Sequence, residues 1–127
     1  MTPSQKLEVS GNVLATSYMT SSDRSLKENI IPLPDALEKI LSLRGYSFNW
    51  KNDGREDIGI IAQEVEAVYP EIVHTDPNTG TKSVEYANLI APMIEAMREQ
   101  QNMIDTQQRE IDELKSTLKE IQSSLQK

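Results

Sequence analysis

The sequence predicts an α+β fold: a small mixed helix and strand domain followed by a long C-terminal helix that forms a parallel coiled coil, whose trimeric state is implied only by the resemblance given below. Three observations predict it. Apolar residues recur every seven positions from Ile90 to Leu125. The stretch before them alternates short helical and strand patterns broken by Pro, Gly and an Asn-Asp-Gly turn. Finally, a chain of 127 residues that is 37% hydrophobic, with one Phe and one Trp, builds one modest core and leaves part of its buried surface to lie between subunits.

Taken in order, Val9, Val13, Leu14 and Ala15 surround Ser10-Gly11-Asn12, which predicts short strands between Lys6 and Tyr18. Residues 1–21 are therefore read as the end of an upstream β-structure. The opening Met1-Thr2-Pro3-Ser4 is compatible with an expression start, so the chain is expected to be the C-terminal piece of something larger. A polar break at Thr20 to Asp23 opens the α+β unit, residues 22–88. Pro32 and Pro34 frame a helix over Asp35 to Leu43 with Ala36, Leu37, Ile40 and Leu41 as its buried stripe.

Gly45 ends that helix, and Tyr46, Phe48 and Trp50 alternate with polar residues as a strand with one aromatic face, closed by a turn at Asn52-Asp53-Gly54. Ile61, Val65, Val68 and Tyr69 share one face of a second helix that Pro70 closes. Ile72 to Thr75 and Lys82 to Tyr86 flank Asp76-Pro77-Asn78-Thr79-Gly80, which predicts a hairpin.

Residues 89–127 are assigned to the coil. The a positions are Ile90, Met97, Ile104, Ile111, Leu118 and Leu125, and the d positions Met93, Gln100, Gln107, Leu114 and Ile121. The predicted seam is thus Met97, Ile104, Ile111, Leu114, Leu118, Ile121 and Leu125. From Pro92 on, such a helix is about 54 Å long, too long for one surface helix of so small a domain. Pro92 fits the first turn, where its missing N–H costs little. An intramolecular hairpin has no second long amphipathic segment to form with. Strand number stays open on local rules, because Ile111 with Leu114 favours dimers whereas Leu118 with Ile121 leans towards three or four chains. Gln100 and Gln107 penalise slipped registers at some cost in stability.

The net charge of -7 and the lack of a basic run argue against a phosphate-tracking surface, so no nucleic-acid partner is expected. The absence of cysteine removes disulfides and thiolate chemistry, and the sole histidine, His74, excludes multi-His metal sites; it is expected in a hydrogen-bonded structural or interface role. No metal or cofactor is expected, since Gly59 to Glu64 is not a phosphate loop. No apolar stretch is long enough to span a bilayer, and no signal-peptide pattern opens the chain, which reads as soluble. Asp57, Glu64 and Glu66 are read as a solvated face, with Glu64 and Glu66 pointing apart.

One pair is a candidate for catalysis, Ser22 and Lys27. A serine hydroxyl becomes a nucleophile when a base takes its proton, and a lysine amine serves as that base when desolvation holds it neutral. Five residues along a helix or a strand leave the two side chains apart, so a turn at Asp23-Arg24-Ser25 is required. Ser-x4-Lys is weak as a motif, and a capped loop with a solvated lysine is the bland reading.

Three blocks occur in order: Ser22-Asp23-Arg24-Ser25-Leu26-Lys27-Glu28-Asn29-Ile30, then Tyr46-Ser47-Phe48-Asn49-Trp50-Lys51, then Gly59-Ile60-Ile61-Ala62-Gln63-Glu64-Val65 with Tyr69-Pro70-Glu71-Ile72-Val73. Together they resemble the C-terminal intramolecular chaperone domain of phage tailspikes and tail fibres, of the endosialidase type; myelin regulatory factor carries a related domain. The resemblance runs from about Ser22 to Gln101 and into the coil. It implies a homotrimer that templates an upstream β-rich passenger of the same chain and then cuts itself off. By motif position Ser22 is the nucleophile, Lys27 the base and Ser21-Ser22 the scissile bond. It implies action in the host cytoplasm during phage assembly and release from the mature fibre, with no membrane partner for this segment. Two other roles stay open: a non-cleaving trimerisation module, and a self-releasing domain of a membrane-tethered regulator.

Overall fold

The structure, a computed structural model, describes residues 3–126. The first two residues of the predicted upstream segment and Lys127 of the predicted coil lie outside the described residues. The architecture is a small mixed helix and strand domain joined to one long helix, in the order of a 3₁₀ turn at Arg24–Leu26, α1 (Ala36–Leu41), β1 (Tyr46–Asn49), β2 (Glu56–Gly59), α2 (Ala62–Val68), a 3₁₀ turn at Pro70–Ile72, β3 (Val73–Thr75), β4 (Lys82–Val84), a 3₁₀ turn at Tyr86–Leu89 and α3 (Ile90–Leu125).

The short strands predicted between Lys6 and Tyr18 do not form; the segment runs as bends and irregular chain. A strand is stable only when its backbone groups pair, and this segment pairs with none of the four strands.

α1 is shorter at both ends than the predicted Asp35 to Leu43. Asp35 sits in the left-handed region at φ 53°, outside the helix, and Leu43 leaves it to pack on the core. Of its predicted stripe, Ala36 is buried and Leu37 and Ile40 half-buried, but Leu41 faces solvent.

β1 and β2 form an antiparallel hairpin in which Tyr46 faces Gly59 and Phe48 faces Asp57. Its tip is the expected turn, with Gly54 at φ 73° donating its N–H to the Trp50 carbonyl at 2.8 Å. Glu-Asp-Ile-Gly carries one large apolar residue, so β2 has no hydrophobic alternation to announce it; pairing with β1 makes it a strand. The second hairpin pairs Val73 with Val84 and Thr75 with Lys82, and Gly80 at φ 74° closes its loop.

The core lies where α2 crosses this second hairpin. Val65, Tyr69, Ile72 and Leu89 are its buried members, and Ile40, Leu43, Ile60, Val68, Val73 and Val84 pack around them. Ile61 sits just before α2 in an extended conformation and is 42% exposed, so α2 itself contributes Val65 and Val68, with Tyr69, its C-cap, packing into the same core. Tyr69 ends α2, and Pro70 starts the next 3₁₀ turn, the position where its missing N–H is harmless.

α3 is 36 residues long, about 54 Å at ~1.5 Å per residue. Pro92 lies in its first turn, and Ile90 already belongs to the helix. Pro92 and Ala96 are its buried residues, α1 packs against it, and every described residue from Gln100 to Gln126 is exposed.

Candidate functional site

The site begins with a short turn. Asp23 precedes the Arg24–Leu26 3₁₀ turn, and its Oδ1 accepts the Ser25 N–H at 2.8 Å and the Ser25 hydroxyl at 2.6 Å. The backbone then closes on itself: Leu26 N–H donates to the Asp23 carbonyl and Lys27 N–H to the Arg24 carbonyl, both at 3.1 Å. This is the arrangement a short polar side chain at a helix start favours. Lys27 comes out of the turn extended.

The reversal places Lys27 Nζ 2.7 Å from Ser22 Oγ, which accepts from it. A turn at Asp23-Arg24-Ser25, required by the spacing, is what joins the two side chains. Ser21, Ser22 and Lys27 are all exposed in the single chain. In this setting the two side chains are in contact but not desolvated. Asp23 is held below the ordinary carboxylate range by the Ser25 hydroxyl first and the Ser25 backbone N–H second. Exposed apolar side chains follow directly: Leu26, Ile30 and Ile31 are each more than half open to solvent.

The predicted seam residues Met97, Ile104, Ile111, Leu114, Leu118, Ile121 and Leu125 all lie on α3, and each is exposed, from 44% at Ile111 to 81% at Leu125. They form one stripe that stays exposed among the described residues.

The remaining polar residues are structural ties. His74 shares a 2.6 Å hydrogen bond with Glu85, whose other carboxylate oxygen accepts from the Asn88 side chain, so a hydrogen-bonded histidine is what the structure contains. Asp57, Glu64 and Glu66, read as a solvated face, are half-exposed, and each also has a partner. Asp57 accepts from the Trp50 indole at 3.0 Å and from Arg55 at 3.2 Å, Glu64 from the Tyr46 hydroxyl at 2.8 Å and Glu66 from Lys82 at 3.0 Å. Glu64 and Glu66 do point apart, one to each hairpin. Arg55 is a local partner, two residues before Asp57, whereas the partners of Glu64 and Glu66 come from other elements and no local spacing announces them. Among the described residues no group of three or more His, Cys, Asp or Glu is placed to hold a metal ion, and no helix is long and apolar enough to cross a membrane.

Residues 22–74 match the Peptidase S74 family, described as chaperone of endosialidase, and the match opens on Ser22. This chain carries a chaperone-of-endosialidase domain. The chaperone domain is also similar to two long tail fibre proteins, both called Gp37. One, of Salmonella phage S16, is 34% identical over 119 residues, covering 87% of this chain. The other, of Escherichia phage AR1, is 34% identical over 65 residues, covering 45%. The chain spans 15% and 6% of the lengths of these two relatives.

Proposed function

We propose that this chain is the assembly and release module of a phage tail fibre: three copies zip along α3, template the β-rich passenger upstream, and then detach by cutting Ser21-Ser22. One observation carries the reading: Lys27 Nζ on Ser22 Oγ at 2.7 Å, at the residue where the family match begins.

Trimeric β-rich stalks depend on contacts between chains, so three strands must meet in register before any contact repays the ordering. A coiled coil lowers that obstacle by holding the chains at high effective concentration with one alignment. The bare stripe on α3 supports this role. Full burial of an exposed Ile or Leu is worth about 1.5–3 kcal/mol, and these side chains, 44–81% exposed in one chain, have roughly half of that or more still to gain.

In the reaction, Ser22 Oγ attacks the Ser21 carbonyl carbon while Lys27 Nζ, neutral, takes the hydroxyl proton. The Ser21-Ser22 C–N bond breaks as that proton passes to the Ser22 nitrogen, leaving an ester from the Ser21 carbonyl to Ser22 Oγ. Water then hydrolyses the ester, giving a carboxylate at Ser21 and restoring the Ser22 hydroxyl beside the amine freed in the preceding step. Neighbouring subunits closing over Leu26, Ile30 and Ile31 dry out the amine, which couples cutting to assembly.

The exposure of the dyad in one chain favours a second reading, a non-cleaving trimerisation module. Electrophoresis of freshly synthesised chain separates the two. Self-release predicts a fragment beginning at Ser22 that is lost in Ser22→Ala and in Lys27→Ala, whereas a single full-length band in all three supports the inert module.

A further inference from the structure

The Ser22–Lys27 contact depends on a clamp that neither residue supplies. They stand five positions apart, with four residues between them, and regular backbone of either kind would hold their side chains apart. What folds the segment back is Asp23, whose one oxygen Oδ1 takes both the Ser25 N–H and the Ser25 hydroxyl. Through the 3₁₀ turn that follows, the Lys27 N–H is fixed on the Arg24 carbonyl, which sets where the lysine side chain departs. The turn's residues are all exposed, and among the described residues Asp23 and Ser25 are the side chains that hydrogen-bond within it. The clamp is therefore the local source of the geometry.

We infer that Asp23 and Ser25 are positioning residues for the self-cleavage proposed above, with the Asp23 carboxylate holding the Arg24–Leu26 turn so that Lys27 Nζ stays on Ser22 Oγ. The inference rests on that reading of the dyad. The role belongs to the acceptor oxygen, not to the negative charge, so asparagine replaces the aspartate and alanine does not. Asparagine caps such a turn as well as aspartate does. Ser25→Ala keeps the backbone half of the clamp and loses the hydroxyl half, which places it between wild type and Asp23→Ala.

The test follows cleavage of the full chain with time during cell-free synthesis, with sedimentation showing that each variant assembles as wild type does. Asp23→Ala is expected to cut about tenfold more slowly, the size of a lost cap expressed in rate, and Asp23→Asn within about threefold of wild type. Separately, in chains held uncut by Ser22→Ala, the Ser25 amide proton resonance is expected to keep its hydrogen-bonded shift with Asn at position 23 and to lose it with Ala. Wild-type rates in Asp23→Ala overturn the clamp while leaving the dyad reading intact. Equal slowing by Asn and Ala overturns it too, because charge would then be what matters. An unchanged Ser25 resonance with Ala does the same. A wild-type chain that never cuts removes the reaction itself, and the inference with it.

Discussion

Glu99 of α3 accepts the backbone N–H of Leu37 at 2.5 Å, a hydrogen bond between residues 62 apart in sequence. Asp35, the residue that stands before α1, makes no side-chain cap, so the open N-terminus of that helix is satisfied by the long helix instead. The contact ties the small domain to the element that carries the apolar stripe.

Removing it should therefore loosen the joint and not the helix. Glu99→Ala is expected to destabilise the chain by about 1–2 kcal/mol, against a few tenths for Glu113→Ala further along α3. Glu99→Gln, which keeps an acceptor, should recover most of the loss. Thermal denaturation followed by circular dichroism checks all three.

Gly59 and Tyr86 are matched in the same spirit. A Cβ on Gly59 would lie 2.7 Å from the Tyr86 hydroxyl, which itself accepts the Ile60 N–H at 3.1 Å. Gly59→Ala is expected to cost about 1–2 kcal/mol by displacing that hydroxyl, and Tyr86→Phe about 1 kcal/mol by removing it. In the double variant the clash and the lost bond share one cause, so the cost should fall short of the two added together. Denaturant unfolding of the four proteins measures the shortfall.

The single tryptophan reports on acid. Asp57 is held below the ordinary carboxylate range, mainly by the Trp50 indole N–H and then by the Ile58 backbone N–H. A carboxyl depressed in the folded state contributes stability above its unfolded value, about 3.9, and loses that contribution as pH falls through the lower folded value. Trp50 fluorescence is expected to be flat above pH ~4 and to change below it, and the change should be absent in Asp57→Asn.

Assembly and cutting are proposed to be linked. Placing Asp at both Ile104 and Ile111 puts charges in two layers of the predicted seam, where burial of an unpaired charge is prohibitive. The double variant should sediment as a single chain and leave Ser21-Ser22 intact, as read by intact mass. A single chain that still cuts would break the link.

How much of this was legible beforehand follows from what kind of information each element carries. α3 announces itself through repetition, and the second hairpin through Asp76-Pro77-Asn78-Thr79-Gly80, because both are encoded locally. The turn that joins Ser22 to Lys27 was readable for the same reason, since Asp and Ser at turn positions bond their own backbone. β2 was not, because Glu56 to Gly59 becomes a strand through its partner. Nor were the Glu64 bond to Tyr46, the Glu66 bond to Lys82 and the Glu99 bond to Leu37, each made across elements. The strands expected near Val9 and Val13 show the converse: local β propensity without a partner yields bends.

The central claim is that α3 gathers three chains. Sedimentation equilibrium of the Ser22→Ala chain, kept whole so that mass is unambiguous, tests it at micromolar concentration. The account predicts a species three times the 14.3 kDa chain mass; a species of one chain mass contradicts it.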